Sequence, residues 1–307
     1  MGQFGGGFVK ASSNRCRIKM KKIYAVVLNY NGYNDTQKCL ATLHHLKDKS
    51  YSLKIVVVDN GSNPNQKKLL KNYLNHVKWG KSIRLGKIKL IINKKNFGFA
   101  GGNNIGIKCA LKKGADYILL LNNDIKTEMN FLKNLLKIDA PISSPVVKFR
   151  EFKNNPKMIY DLGGIVNWWT GRTTHINVYS AEYKKMKENK PVTVDYVAGC
   201  SMLIKKETIE KIGFLDECYF MYFEDVDYCV TAKKNGFTIK VDPKGVIYHK
   251  LGGSIERWSA KAIFHNLFGN FIFISKHLGI RRITGYAYLS ALTAKIIADR
   301  IRSNLKI

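Results

Sequence analysis

A run of strand-forming apolar residues, Tyr117–Leu121, stops abruptly at three polar side chains, Asn122, Asn123 and Asp124. A buried parallel strand delivers a site in this way. The apolar part fills the sheet, and the polar residues emerge at the carboxyl edge, where ligands of open α/β sheets bind. Asp124 is a hard oxygen donor suited to Mg²⁺ or Mn²⁺, and Asn122 can hydrogen-bond an alcohol such as a ribose hydroxyl. Read alone, Asn-Asn-Asp also suits a turn with a helix N-cap before Glu128. A second group is carboxylic: Asp216, Glu217, Glu224, Asp225 and Asp227 fall within twelve positions of a chain that holds only 22 acidic residues. Phe220 to Phe223 set an apolar wall just before the last three. A carboxylate at a helix N-terminus beside apolar groups can be tuned as a general base, although the same residues also suit the helix dipole. His249 closes the apolar run Val246–Tyr248 and becomes a candidate metal ligand once Asp124 is one, although a lone histidine is more often structural. Gly98, Gly101 and Gly102 let a backbone approach a ligand, and the helix start after them favours phosphate. Their spacing matches neither Gly-x-Gly-x-x-Gly nor a P-loop, which disfavours a nicotinamide dehydrogenase or an NTPase.

These residues need strands and helices to hold them. Ile23–Leu28, Leu53–Val58, Ile88–Ile92 and Tyr117–Leu121 are short continuous apolar runs, so each reads as a buried strand. Helical spacing follows in Asp35–Leu46, from Pro64 to about His76, and from the glycine cluster to about Lys113. The order β-α-β-α-β-α-β predicts a mostly parallel sheet with helices on both faces. Each strand ends in polar or glycine-rich residues on one edge: Asn29 to Gly32, Asp59 to Ser62, Asn96 to Gly102 and Asn122 to Asp124. Four such ends make a crevice. Ile142–Phe149 reads as a strand, followed by a hairpin-rich insert through Trp168 and Trp169. Tyr196–Ile204 returns to the sheet, and helices follow at Lys206–Ile212 and Glu224–Asn235. Phe237–Val241 and Val246–His249 read as two more short strands, and Ser259–Ile307 as helical with a basic end.

The 307 residues can bury a full core. Net charge is +30, from 52 Lys+Arg against 22 Asp+Glu, which suggests a polyanionic partner: nucleic acid, an anionic membrane surface or phosphorylated substrates. Lysine is spread over nearly every segment, so a general compositional bias accounts for the charge equally well. None of the six cysteines has Cys-x-x-Cys spacing, and residues 1–20 carry no apolar signal core. They read as a disordered leader to a cytoplasmic chain. No apolar run reaches the roughly 18 residues that span a bilayer.

The ordered set of Val26–Gly32, Val56–Ser62, Asn96–Asn104, Leu119–Asp124, Gly213–Glu217 and Phe223–Cys229 resembles family-2 glycosyltransferases of the GT-A fold, in their rhamnosyltransferase-like branch. The resemblance implies an α/β fold with a GT-A domain over 21–256, an acceptor-side β-rich insert at about 150–195, and a C-terminal helical extension over 257–307. It implies that Asp59 accepts from a pyrimidine N3–H and that Asn29 and Asn31 line the nucleotide pocket. Asn96, Gly98, Gly101, Asn103, Asn122 and Asn123 would complete the nucleotide-sugar site. Asp124 and His249 would hold a divalent metal (Mn²⁺ or Mg²⁺), and Asp225 would be the catalytic base, supported by Glu224 and Asp227. Asn122 departs from the aspartate usual at that position and removes one charge. The implied reaction is inverting transfer from a dTDP- or UDP-sugar to a glycan or polyprenyl-diphosphate-linked acceptor. The basic, Phe-rich tail would suit peripheral docking at an anionic membrane, or packing on the protein's own flank. The competing readings are a nucleic-acid-binding α/β protein, a nucleotidyltransferase and an inactive glycosyltransferase-like paralogue. No nucleic acid is expected, because no RNA- or DNA-binding motif accompanies the charge.

Overall fold

The computed structural model describes residues 20–76, 88–150, 158–176, 178, 190–250 and 259–304. The leader and parts of the insert therefore fall outside the described residues, as does the start of the tail.

Four parallel strands come first: β1 (Lys21–Asn29), β2 (Tyr51–Asp59), β3 (Lys89–Ile92) and β4 (Tyr117–Asn122). They stand in the order β3-β2-β1-β4, each pair parallel. β1 and β2 are buried on both faces, as strands in a helix-covered parallel sheet must be. Tyr24 and Val26 join the core on one face, while Ile23, Ala25 and Val27 join that on the other. The connecting helices are α1 (Tyr33–His44), α2 (Pro64–His76) and α3 (Gly98–Lys112). The chain runs outward from β1 to β3 and then returns to the opposite side of β1 for β4. The strand order thus reverses between β1 and β4, and a crevice opens at their carboxyl ends.

A short strand β5 (Ile125–Thr127) and helix α4 (Phe131–Ile138) follow β4. Asp124 therefore leads into a strand, not a helix. β6 (Ile142–Phe149) lies beyond β11 (Ser201–Lys205), which runs antiparallel to both β4 and β6. The insert contributes β7 (Ile159–Asp161) to the main sheet, and β8 (Gly164–Val166) pairs with β9 (Thr173–His175) as a separate hairpin. β10 (Val192–Thr193) closes the edge. Helices α5 (Lys206–Ile212) and α6 (Glu224–Lys234) come next.

Two sequence expectations need correction. Phe237–Val241 and Val246–His249 are not separate strands: β12 (Ile239–His249) is one strand paired with β6, whose register breaks between Asp242 and Val246 around Pro243 and Gly245. Proline and glycine there bulge the strand without ending it. Within Tyr196–Ile204 only residues from Ser201 onward are a strand, while Tyr196 makes an isolated bridge to Gly164. The chain ends in α7 (Ala260–His277), a single 3₁₀ turn at Gly279–Arg281, and α8 (Arg282–Asn304). Ser259 caps α7 by accepting from the Ala262 amide. Among the described residues no helix is long and apolar enough to cross a membrane.

Candidate active site

A cleft of about 320 Å³ lies at the strand reversal. One wall comes from the ends of β1, β2 and β4 and the start of α3: Tyr30, Asn60, Asn96, Gly98, Asn122, Asn123 and Asp124 line it. The other comes from Tyr160, Ala198–Cys200, Phe220–Tyr222, Glu224 and Asp225, with His249 at the end of β12.

The two walls are bolted together by backbone. The Phe99 amide donates to the Phe220 carbonyl at 2.7 Å, and a Cβ on Gly98 would come within 2.3 Å of that same oxygen. Gly98 also sits at φ +75°, so glycine is required here on two counts. On the far side, the Gly199 amide donates to Asp225 Oδ2 at 2.7 Å.

Asp124 and His249 meet across the cleft. Nε2 of His249 lies 3.1 Å from Asp124 Oδ1, and both side chains are buried. The pair is close but not aligned as a hydrogen bond, and Asp124 Oδ1 and His249 Nδ1 are both buried without a hydrogen-bond partner. An unsatisfied carboxylate oxygen with an imidazole nitrogen, Nε2, beside it forms a donor set that suits a divalent cation. Among the described residues no group of three or more such ligands exists. Two protein ligands are enough for Mg²⁺ or Mn²⁺, which keep several waters and bind substrate phosphates.

Glu224 and Asp225 open α6. Two residues with left-handed backbone, Tyr222 (φ 66°) and Phe223 (φ 70°), turn the chain sharply just before them. Their environments push the two carboxyls apart. Burial first, and then the charge of Asp225, lifts the Glu224 carboxyl well above its ordinary range, and its Oε2 has no partner. Burial raises Asp225 too, but the Gly199 and Val226 amides, at 2.7 and 2.8 Å, stabilise its anion. Glu224 is thus the group of the pair that holds its proton more strongly and Asp225 the one whose anion is better stabilised, the arrangement that separates acid and base roles. Cys200 also lines the cleft, but burial holds its thiol protonated, so it is no nucleophile.

A model of the family described as glycosyl transferase family 2 matches residues 24–213. The chain belongs to this family. It is 23% identical over 74% of its length to a low-salt glycan biosynthesis hexosyltransferase of Haloferax volcanii, of which it covers 67%. It is 26% identical over 75% of its length to a dTDP-rhamnosyl transferase of Shigella flexneri, of which it covers 69%. Among solved structures, GalNAc-T7 with UDP, GalNAc and Mn²⁺ superposes with a TM-score of 0.63 at 15% identity, over 84% of this chain and 48% of that one. The fold is GT-A, and the protein is a glycosyltransferase with rhamnosyltransferase-like relatives.

Not every residue expected in this glycosyltransferase's site reaches the cleft. Asn96, Gly98, Asn122, Asn123, Asp124, Glu224, Asp225 and His249 do; Asn29, Asn31, Asp59, Gly101 and Asn103 do not line it. Asn29 and Asp59 are fully buried and bonded to each other at 2.8 Å. Asp59 also accepts from the Ser62 amide, and Asn29 Oδ1 accepts from Thr36 and the Gly32 amide. They are the internal brace of the strand ends. Asn31 is an exposed turn residue at φ 53° whose amide Ser62 Oγ accepts. Gly101 packs within 3.0 Å (Cβ position) of Phe97, and Asn103 bonds back to the Phe99 carbonyl in its own helix. Asn60 had not been singled out, yet it holds Asn96, Gly98, Phe97 and Asn93 together at the cleft edge. Its place in Asp-Asn-Gly-Ser at a strand end was the available signal. Tyr160, Gly199 and Met221 carried none.

Proposed function

We propose that the protein is an inverting, metal-dependent glycosyltransferase that moves a sugar, rhamnose in the first instance, from a dTDP- or UDP-sugar to a hydroxyl of a lipid-linked oligosaccharide or surface polysaccharide. The observation that carries this reading is the placement of a metal-type pair, Asp124–His249, which meets across the cleft, and an acid–carboxylate pair, Glu224–Asp225, in that same cleft. The names of the relatives, a dTDP-rhamnosyl transferase among them, support the donor class.

Asp225 is the catalytic base. An acceptor hydroxyl has a pKa far above neutrality, so attack on the anomeric carbon needs its proton removed as the bond forms. The carboxylate of Asp225 is half-buried and held by two amides, and it takes that proton. With Asp225 as base, Asp124 given to the metal and Glu224 to a sugar hydroxyl, a single displacement follows, and the anomeric centre inverts. Glu224, whose proton burial holds more strongly than usual, donates a hydrogen bond to a sugar hydroxyl through Oε2, which no protein group satisfies. Asp124 and His249 would hold a divalent metal, which would supply positive charge to offset the negative charge developing on the departing diphosphate. Asn122 contacts the ribose. The pyrimidine lies against Tyr30 and Asn60, while Asp59 fixes their backbone from behind through Asn29.

The test is thermal stability against dTDP- and UDP-sugars, with and without Mn²⁺. Donor at about 100 times its Kd adds roughly 2.7 kcal/mol to the unfolding free energy. Stabilisation should require Mn²⁺ and vanish in Asp124→Ala. Equal stabilisation of the Asp124→Ala protein would remove Asp124 from the metal site, and no response to any sugar nucleotide would sink the donor assignment.

A further inference from the structure

Helix α7 is apolar on two opposite faces. Ala262, Gly269 and Phe273 point inward and are buried, and Gly269 packs against the Tyr222 carbonyl, where a Cβ would come within 2.8 Å. Phe264, Phe268 and Phe271 recur at i, i+4 and i+7, so they share one narrow strip on the other side. They are 61, 47 and 47% exposed. Phe264 and Phe268 lie parallel with ring centroids 5.8 Å apart, and Phe271 stacks on Tyr286 of α8 at 5.3 Å. The rings are therefore pre-ordered as a ridge.

The ridge begins at the mouth of the cleft. Phe220, which lines the cleft, stacks on His265 at 4.9 Å and carries Lys261 over its other side at 5.6 Å. The far end of α7 is locked to the catalytic helix: Lys276 and His277 both bind Asp227 of α6. Ridge and cleft are thus one rigid piece. Its surroundings are basic. Apart from Lys276, which is bound to Asp216 and Asp227, the sequence from Ser259 to Asn304 holds six Lys and Arg residues against a single acid, Asp299. At the α7–α8 corner Arg281 lies over Trp169, which is 62% exposed, and Ile280 and Ile283 are exposed beside it.

We propose that this outer face of α7 seats on an anionic lipid bilayer, with Phe264, Phe268 and Phe271 entering the interfacial layer and the basic side chains meeting the headgroups. Aromatic rings flanked by Lys and Arg are the chemistry of an interfacial helix. A ridge is convex, so it enters a fluid surface more readily than it accepts a chain along a groove. A second copy of the protein is disfavoured by charge, because a two-fold contact would set this basic face against itself. The proposal deepens the transferase reading and rests on it for one consequence: a cleft mouth held at the bilayer plane takes its acceptor from lipid-linked molecules there.

The experiment is flotation of the full chain with phosphatidylcholine vesicles, with and without phosphatidylglycerol, beside the variant Phe264→Ser/Phe268→Ser/Phe271→Ser. Each ring is already about half buried, so its insertion should contribute about fivefold to partitioning, and the three together roughly 100-fold. The wild type should float with phosphatidylglycerol vesicles, less so in high salt, and the triple variant should stay behind. Mn²⁺-dependent stabilisation by a sugar nucleotide serves as the control: retained in the triple variant, it shows an intact cleft, and its absence in both proteins indicts the donor assignment and not the surface. Failure of the wild type to float, equal flotation of the variant, or a wild-type dimer in sedimentation that the substitutions convert to monomer would overturn the proposal.

Discussion

Asp227 is the third carboxylate of the Glu-Asp-Val-Asp segment, and its sequence position suggests help for the base. Its surroundings assign it a different task. It is 3% exposed and takes the Tyr219 hydroxyl at 3.0 Å, Lys276 Nζ at 2.8 Å and His277 Nε2 at 2.7 Å. Lys276 also reaches Asp216 at 2.7 Å, and His277 Nδ1 lies 2.8 Å from Lys234 Nζ. Asp227 therefore pins the end of α7 to α6. Replacing it with Asn leaves three donors converging on an amide. Removing one partner of a buried ion pair costs about 3–5 kcal/mol. Lys276 is 39% exposed and regains water, so Asp227→Asn should fall at the lower end, about 3 kcal/mol. Lys276→Met leaves Asp227 its bonds to Tyr219 and His277, and removes a partly screened charge, so it should cost only about 1 kcal/mol. Urea unfolding of the two variants measures both. An Asp227→Asn loss below that of Lys276→Met would refute the lock. So would an Asp227→Asn protein of unchanged stability whose turnover alone collapses, because that is the signature of a residue acting on substrate.

Asp225→Asn should lower turnover about 10²–10⁴-fold while the Kd for sugar nucleotide stays nearly unchanged, since the amide keeps the shape but takes no proton; donor titration with single-turnover kinetics separates the two, and a large change in Kd would show that Asp225 is not the base. Glu224→Gln should alter the pH dependence of stability. The folded protein holds the Glu224 proton to well above the ordinary 4.5, so wild-type stability is greatest below that pH and is lost as pH rises through the raised value. The glutamine variant should lose that fall and gain on the wild type towards neutral pH, leaving only the smaller slope from Asp225; parallel pH–stability curves for the two proteins would mean that Glu224 is ionised in the native state.

Most of the sheet was legible because β1, β2 and β4 are buried on both faces and so appear as unbroken apolar runs that need no alternation to be found, whereas β3, expected buried for the same reason, is a part-exposed edge strand. The polar groups at their ends were also legible as a crevice, but not which of them face it. Asn29 and Asp59 emerge at strand ends just as Asn122 and Asp124 do. What separates them is that Asn29 and Asp59 satisfy each other, whereas Asp124 Oδ1 is left without a partner. Periodicity does not carry that information. The single strand β12 was missed for a local reason, since Asp-Pro-Lys-Gly reads as a turn unless the pairing with β6 continues on both sides of it. In the tail, Phe264 to Phe273 looked like one amphipathic block. Only packing sorts Phe273 inward and Phe264, Phe268 and Phe271 outward.

The segment shared with the family ends at Ile212–Gly213, before Asp225, His249 and α7. The cleft is therefore assembled from a part matched by the family model, which carries the strand ends and Asp124, and a later part that carries Asp225, His249 and the aromatic wall. Two hydrogen bonds join them, one from the Phe99 amide to the Phe220 carbonyl and one from the Gly199 amide to the Asp225 carboxylate. Both glycines nearby fix the approach: a side chain on Gly98 would strike the Phe220 carbonyl, and one on Gly199 would lie 3.1 Å from Phe99 and 3.3 Å from Asp225. The later segment can vary in sequence and still place Asp225 correctly so long as those two seams hold. That is why the strand ends of the first part are readable in short motifs, while the later part is defined by contacts that only the folded chain makes.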